Sequence, residues 1–288
     1  MEFIQKCTKM VKIWKVDNNS TFFIDYFVLI SKICMLLGGM YMTWGFMSKA
    51  HIISLIVAVV IIILFSIIVS KLSKKAQKIV LFIFSFSGIA AITFNLLRWN
   101  SPLEYLPLHM CSINAILLPF AVLTKNRTLC NLLVVWCLGA VVALVLNQSV
   151  METTIMSDVF IFYYFPHIFE FIIPILLFKL KFAKLDYKCI LSSVIITMLI
   201  YTGIHFTNVY INNYCIENNI LDYAGNVIQV NYMFSVEPSN PLLVIFYNII
   251  PFDYWYMYLC VPIVVVYLLV IYFKQINLEI KRRYYAKI

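Results

Sequence analysis

Three histidines and a cysteine, set in an otherwise apolar chain, are the residues here whose types can do chemistry. His109 and Cys111 stand in Leu106-Pro107-Leu108-His109-Met110-Cys111-Ser112, at the head of a long apolar run; His167 follows Tyr163-Tyr164-Phe165-Pro166, and His205 lies in a third run. A thiol near an imidazole can form a thiolate–imidazolium pair that attacks an acyl carbonyl, with a further His or Arg to hold the developing oxyanion. The same imidazoles with the thiol are also a ligand set for a transition metal. No His-Glu-x-x-His or other tight metal spacing is present, so that alternative requires assembly across separate segments. Unpaired polar groups in hydrocarbon each cost on the order of several kcal/mol, which makes ionisable residues there functional candidates by default.

What must position them is a membrane bundle. The chain is 63% hydrophobic and only 12% charged, with a mean hydropathy of +0.92, and its apolar runs suffice to cross a core of roughly 30 Å. Eight spans are expected, near 26–46, 51–70, 79–97, 106–124, 129–147, 158–178, 189–210 and 255–273, giving an all-α polytopic transmembrane helix bundle. Lys and Arg fall in alternate loops in one phase: Lys6 to Lys15, Lys71 to Lys78, Lys125 and Arg127, Lys179 to Lys188, and Lys274 to Lys287, whereas the opposite loops hold only Lys49 and Arg98. By the excess of positive charge in inner loops, both termini are expected to be cytoplasmic. No cleavable signal is expected. Residues 1–20 split into a lysine face and an apolar face, as an interfacial helix would; 21–274 form a single transmembrane domain, and 275–288 a basic tail.

The net charge of +9 fits this topological bias, so nucleic acid is not an expected partner. The eight cysteines lack a Cys-x-x-Cys pair and mostly sit inside apolar runs, which indicates neither a disulfide framework nor a zinc knuckle. No cofactor is called for.

Depth ties the candidates together. Span three is expected to run outward and end in Asn95 and Arg98; spans four and six run inward from His109, Cys111 and His167; span seven runs outward past His205. All six groups fall in the outer half of the bilayer, where lipid ester carbonyls lie. Glu170, one turn below His167, can orient the imidazole or stand as a hydrogen-bonded acid. The loop 211–254 has no Lys or Arg and is aromatic, so it is expected to fold back over the outer face.

At these residues the chain resembles a known family. Leu106-Pro107-Leu108-His109-Met110-Cys111, the basic turn Lys125-Asn126-Arg127 and the later Asn231-Tyr232-Met233 resemble YwaF-like bacterial integral membrane proteins. The same skeleton, over roughly residues 80–260, is similar to the eukaryotic transmembrane protein 164 group. That resemblance implies phospholipid acyltransferases working through a Cys and a His within the membrane. Tyr163-Tyr164-Phe165-Pro166-His167 looks like the segment carrying that group's catalytic His, and His205-Phe206 resembles its following His-Phe pair. One departure stands out: the eukaryotic nucleophile directly precedes the motif His, where this chain has Leu108. Cys111, three residues on, returns near the same helix face.

The expectation is therefore a multi-pass cell-membrane protein, acting as a lipid acyltransferase or acyl-ester hydrolase on membrane lipids. His167 would be general base, Cys111 nucleophile and His109 a further catalytic group, with His205, Arg98, Asn95, Glu170, Tyr163 and Tyr164 around the substrate. A small-solute transporter or receptor, and a metal-dependent membrane enzyme, are the competing classes. The abundance of Ile, Lys, Asn, Phe and Tyr suggests a bacterial source.

Overall fold

The computed structural model describes residues 42–285 except 100, 148, 149 and 223, so the basic segment 1–20 and most of the first expected span lie outside the described residues. The rest is helical. The helices are α1 (Lys49–Lys71), α2 (Lys74–Ser85), α3 (Ser87–Arg98), α4 (Met110–Thr124), α5 (Arg127–Leu146), α6 (Asp158–Lys179), α7 (Ile190–Glu217), α8 (Pro241–Ile249) and α9 (Val261–Tyr285). Six helical stretches are long and apolar enough to cross a membrane, α2 and α3 counting as one broken at Phe86; α4 is a shorter apolar helix of 15 residues. These correspond to the second through eighth expected spans.

Capping residues mark the turns between helices. Ser48, Ser73, Asn126 and Ser157 each accept a backbone N–H at the start of α1, α2, α5 and α6, supplying an acceptor for donors the first turn leaves open. Lys125 and Asn147 end α4 and α5 in the left-handed conformation.

The alternation inferred from loop charge is visible in the contacts at the two ends. At the basic end, Lys74 Nζ donates to Leu180 O at 2.6 Å, and Lys74 and Lys125 both sit over the Phe182 ring. Arg127 pairs with Asp186 there, and Asn131 joins the 127, 184 and 186 backbones to Tyr272 of α9. At the other end Arg98 pairs with Asp158 at 2.7 Å, and Asn147 Nδ2 donates to Trp44 O at 2.6 Å. The C-terminal ends of α4 and α6 thus share one side, and these two helices run parallel.

Between the ends, α4, α5 and α6 bury the main core, including Leu118, Leu133, Trp136, Ile173 and Leu177. A second cluster packs α1 against α6 around Trp44, Phe160 and Tyr164. His51, fully buried, belongs to this frame: its Nδ1 accepts from Met47 N at 3.0 Å and its Nε2 donates to Leu144 O at 2.9 Å. A third cluster folds the outer loop back, with Ile228, Val230, Tyr232 and Met233 buried against Ile204 and Ile211 of α7.

Candidate functional site

The site is built where α3, α4 and α6 pack together. Gly88 on α3 permits this: a Cβ there would lie 2.4 Å from Ala115 Cβ and 2.7 Å from Glu170 Oε1. Sequence alone gave no reason to single out Gly88 or Ala115. Prolines add to the polarity of the junction. Pro119 within α4 and Pro174 within α6 have no N–H, so the carbonyls of Ala115 and Glu170, four residues earlier, lose their helical donors.

Ala115 and Glu170 meeting at Gly88 fixes the register of the two parallel helices. Cys111 lies four residues above Ala115, about 6 Å, and His167 three residues above Glu170, about 4.5 Å, at ~1.5 Å per residue. Thiol and imidazole each stand about one turn above the Gly88 contact, on two different helices. Cys111 is half-buried, and its thiol lies within electrostatic reach of the Glu170 carboxyl. No hydrogen bond joins Cys111 to His167.

His167 is buried, and its ring orientation is set locally. Its Nδ1 lies 2.6 Å from Tyr163 O, one turn back on α6, and the Tyr163 ring packs on it at 4.4 Å. A carbonyl can only accept, so Nδ1 carries the hydrogen, and the neutral ring keeps its lone pair on Nε2. That is the form a general base requires. Glu170, 3% exposed, has no hydrogen-bond partner for Oε2 among the described residues.

His109 and His205 are placed elsewhere. His109 caps the start of α4, and its Nδ1 accepts from Met233 N at 3.2 Å while Tyr232 and Phe234 pack on its ring. His205 Nδ1 lies 3.2 Å from Ser235 Oγ, and Asn208, which no motif singled out, both donates to Tyr232 O and accepts from Tyr232 N. His109 and His205 thus meet one turn, 231–235, whose Met233 and Phe234 are both left-handed. That turn covers the outer end of α4, where Tyr232 O–H donates to Leu103 O and accepts from Leu106 N.

Arg98 is engaged by Asp158. Asn95 is half-buried one turn before it on α3. Tyr163 O–H donates to Ala143 O at 3.0 Å and Tyr164 O–H to Ser54 O at 2.5 Å, tying α6 to α5 and α1. These polar groups thus divide into two sets, Cys111, His167 and Glu170 on the helices that meet at Gly88, and His109 and His205 on the turn 231–235. Among the described residues no three His, Cys, Asp or Glu side chains gather as a metal ion would need, so the three-histidine and cysteine ligand set is not assembled.

A model described as the TMEM164 family matches residues 46–277, the stretch that contains both sets. No curated protein and no solved structure matches the chain.

Proposed function

The chain belongs to the TMEM164 family, and on that premise we propose that it is a membrane-embedded acyltransferase or acyl-ester hydrolase acting on phospholipids of the cell membrane. Cys111 is the nucleophile and His167 the general base. The observation that supports this reading is the contact of α4 and α6 at Gly88, with the half-buried Cys111 thiol one turn above it on α4 and, one turn above it on α6, an imidazole whose Nε2 is the free base.

Nε2 of His167 takes the thiol proton, and Sγ of Cys111 bonds to the ester carbonyl carbon while the carbonyl electron pair moves to oxygen. The pair returns, the carbon–oxygen ester bond breaks, and the departing alkoxide takes the proton from His167, leaving a thioester and a lysolipid. An acceptor hydroxyl or water then gives its proton to His167 and bonds to the thioester carbon; the carbon–sulfur bond breaks, and the departing Cys111 thiolate takes the proton back from His167.

Below Cys111 and His167 the path to the basic end is filled by Leu118, Val122, Ile173, Leu176 and Leu177, all buried. A path closed on that side suits lipid chemistry better than solute passage. The test is turnover of a phospholipid with a labelled acyl chain by purified protein in nanodiscs. His167→Ala should lower it by about 10²–10⁴-fold, the usual contribution of a positioned base; unchanged turnover would refute the assignment.

A further inference from the structure

Asn114 is the buried amide that the structure leaves unexplained. It is 1% exposed, and neither Nδ2 nor Oδ1 has a hydrogen-bond partner among the described residues. The other buried amides differ: Asn131 and Asn208 use both ends of the group, and Gln77 and Asn147 each donate to a backbone carbonyl. Leaving an amide buried and unpaired is costly, and a leucine of similar shape would avoid that cost.

Its position gives the orphan a use. Asn114 follows Cys111 by three residues, so it lies one turn deeper, ~4.5 Å along α4 and about 60° around it. On the helical wheel Cys111 falls between Asn114 and Ala115, the residue that meets Gly88 and Glu170. The thiol and the amide therefore belong to one face of α4, in an interior where a fixed dipole acts on a developing charge more strongly than in water.

We infer that Asn114 is a catalytic residue, donating an Nδ2–H hydrogen bond to the ester carbonyl oxygen as Cys111 attacks it. In the addition step the carbonyl π pair becomes a full oxygen charge, which the amide stabilises; in the collapse the pair returns and the alkoxide leaves with the His167 proton. No proton moves to or from Asn114. A donor of this kind is typically worth 10²–10³-fold in kcat.

The inference rests on the acyl-transfer reading, and one set of measurements separates the two. Wild-type, Asn114→Leu and Asn114→Ala proteins are compared in nanodiscs for turnover of labelled phospholipid, for the rate of Cys111 alkylation by iodoacetamide, and for thermal stability. Alkylation is a displacement at carbon that creates no oxyanion. The expected result is a fall in kcat of about 10²–10³-fold with KM little changed, unaltered alkylation of Cys111, and a melting temperature for Asn114→Leu equal to or above wild type. Undiminished kcat in a variant of an active wild type overturns the role of Asn114 alone. So does a lowered melting temperature in both variants together with altered alkylation, which marks a structural residue. A wild-type protein with no phospholipid turnover overturns the acyl-transfer reading itself.

Discussion

Glu170 on α6 reaches α3 at Gly88, close enough that a methyl group on Gly88 would come within 2.7 Å of its Oε1 and 2.4 Å of Ala115 Cβ. On the proposed reading this three-helix contact sets the register of Cys111 and His167. Gly88→Ala should therefore shift α4 or α6, destabilising the protein by about 1–3 kcal/mol as over-packing does and lowering phospholipid turnover. Adding Ala115→Gly should restore much of both. Thermal unfolding and turnover of the single and double variants check this, and an unperturbed Gly88→Ala would show that the contact does not set the register.

Tyr232 makes the folded outer loop sensitive to alkali. Burial, opposed by the Leu106 N–H and reinforced by the Glu104 charge, pushes its phenol up to about 12 from an ordinary value of ~10. The folded state thus holds the proton more tightly than the unfolded chain does. Its contribution is fully present below pH ~10 and is lost as the pH rises from there through the folded value. Amide hydrogen exchange at 228–236, corrected for its intrinsic pH dependence, should lose protection over that window, and Tyr232→Phe should remove the step.

Arg98 and Asp158 form an ion pair whose side chains are 44% and 47% exposed. Such pairs contribute about 0–1 kcal/mol. Arg98→Gln should leave stability within that range and turnover within about twofold, since the guanidinium is engaged away from the Cys111 level. A loss of a hundredfold would instead place Arg98 at the reacting carbonyl.

His51 tests the frame independently of the chemistry. Both ring nitrogens are hydrogen-bonded in a fully buried setting against Trp44. His51→Ala leaves Leu144 O unpaired and opens space, and should cost about 1–3 kcal/mol or more. Turnover per folded molecule should be unchanged. Calorimetry paired with active-fraction titration separates the two effects.

The bundle was legible because hydropathy and loop charge act over whole segments: the Lys74, Lys125 and Phe182 contacts gather the loops that charge alone assigned to one side. Helix ends were less so. α7 runs to Glu217 and α9 to Tyr285, since polar residues prolong a helix beyond the apolar run, and α4 starts only at Met110 because His109 is extended.

That His109 and Cys111 stand at the start of an apolar helix, and His167 and His205 within one, was readable, but the direction each faces depends on neighbours distant in sequence. Only the returning turn 231–235 shows that His109 and His205 serve a loop. Asn114 carried a faint signal, a single amide in the run from Ile113 to Val122; its lack of partners emerges only in the packed structure.

The central claim is that an acyl chain resides transiently on Cys111. Purified protein mixed with phospholipid and stopped in acid should yield a Cys111 peptide heavier by one acyl group, with the mass lost on treatment with neutral hydroxylamine and absent from His167→Ala. Phospholipid turnover with no acylated Cys111 at any stopping time, and undiminished in Cys111→Ala, would contradict it.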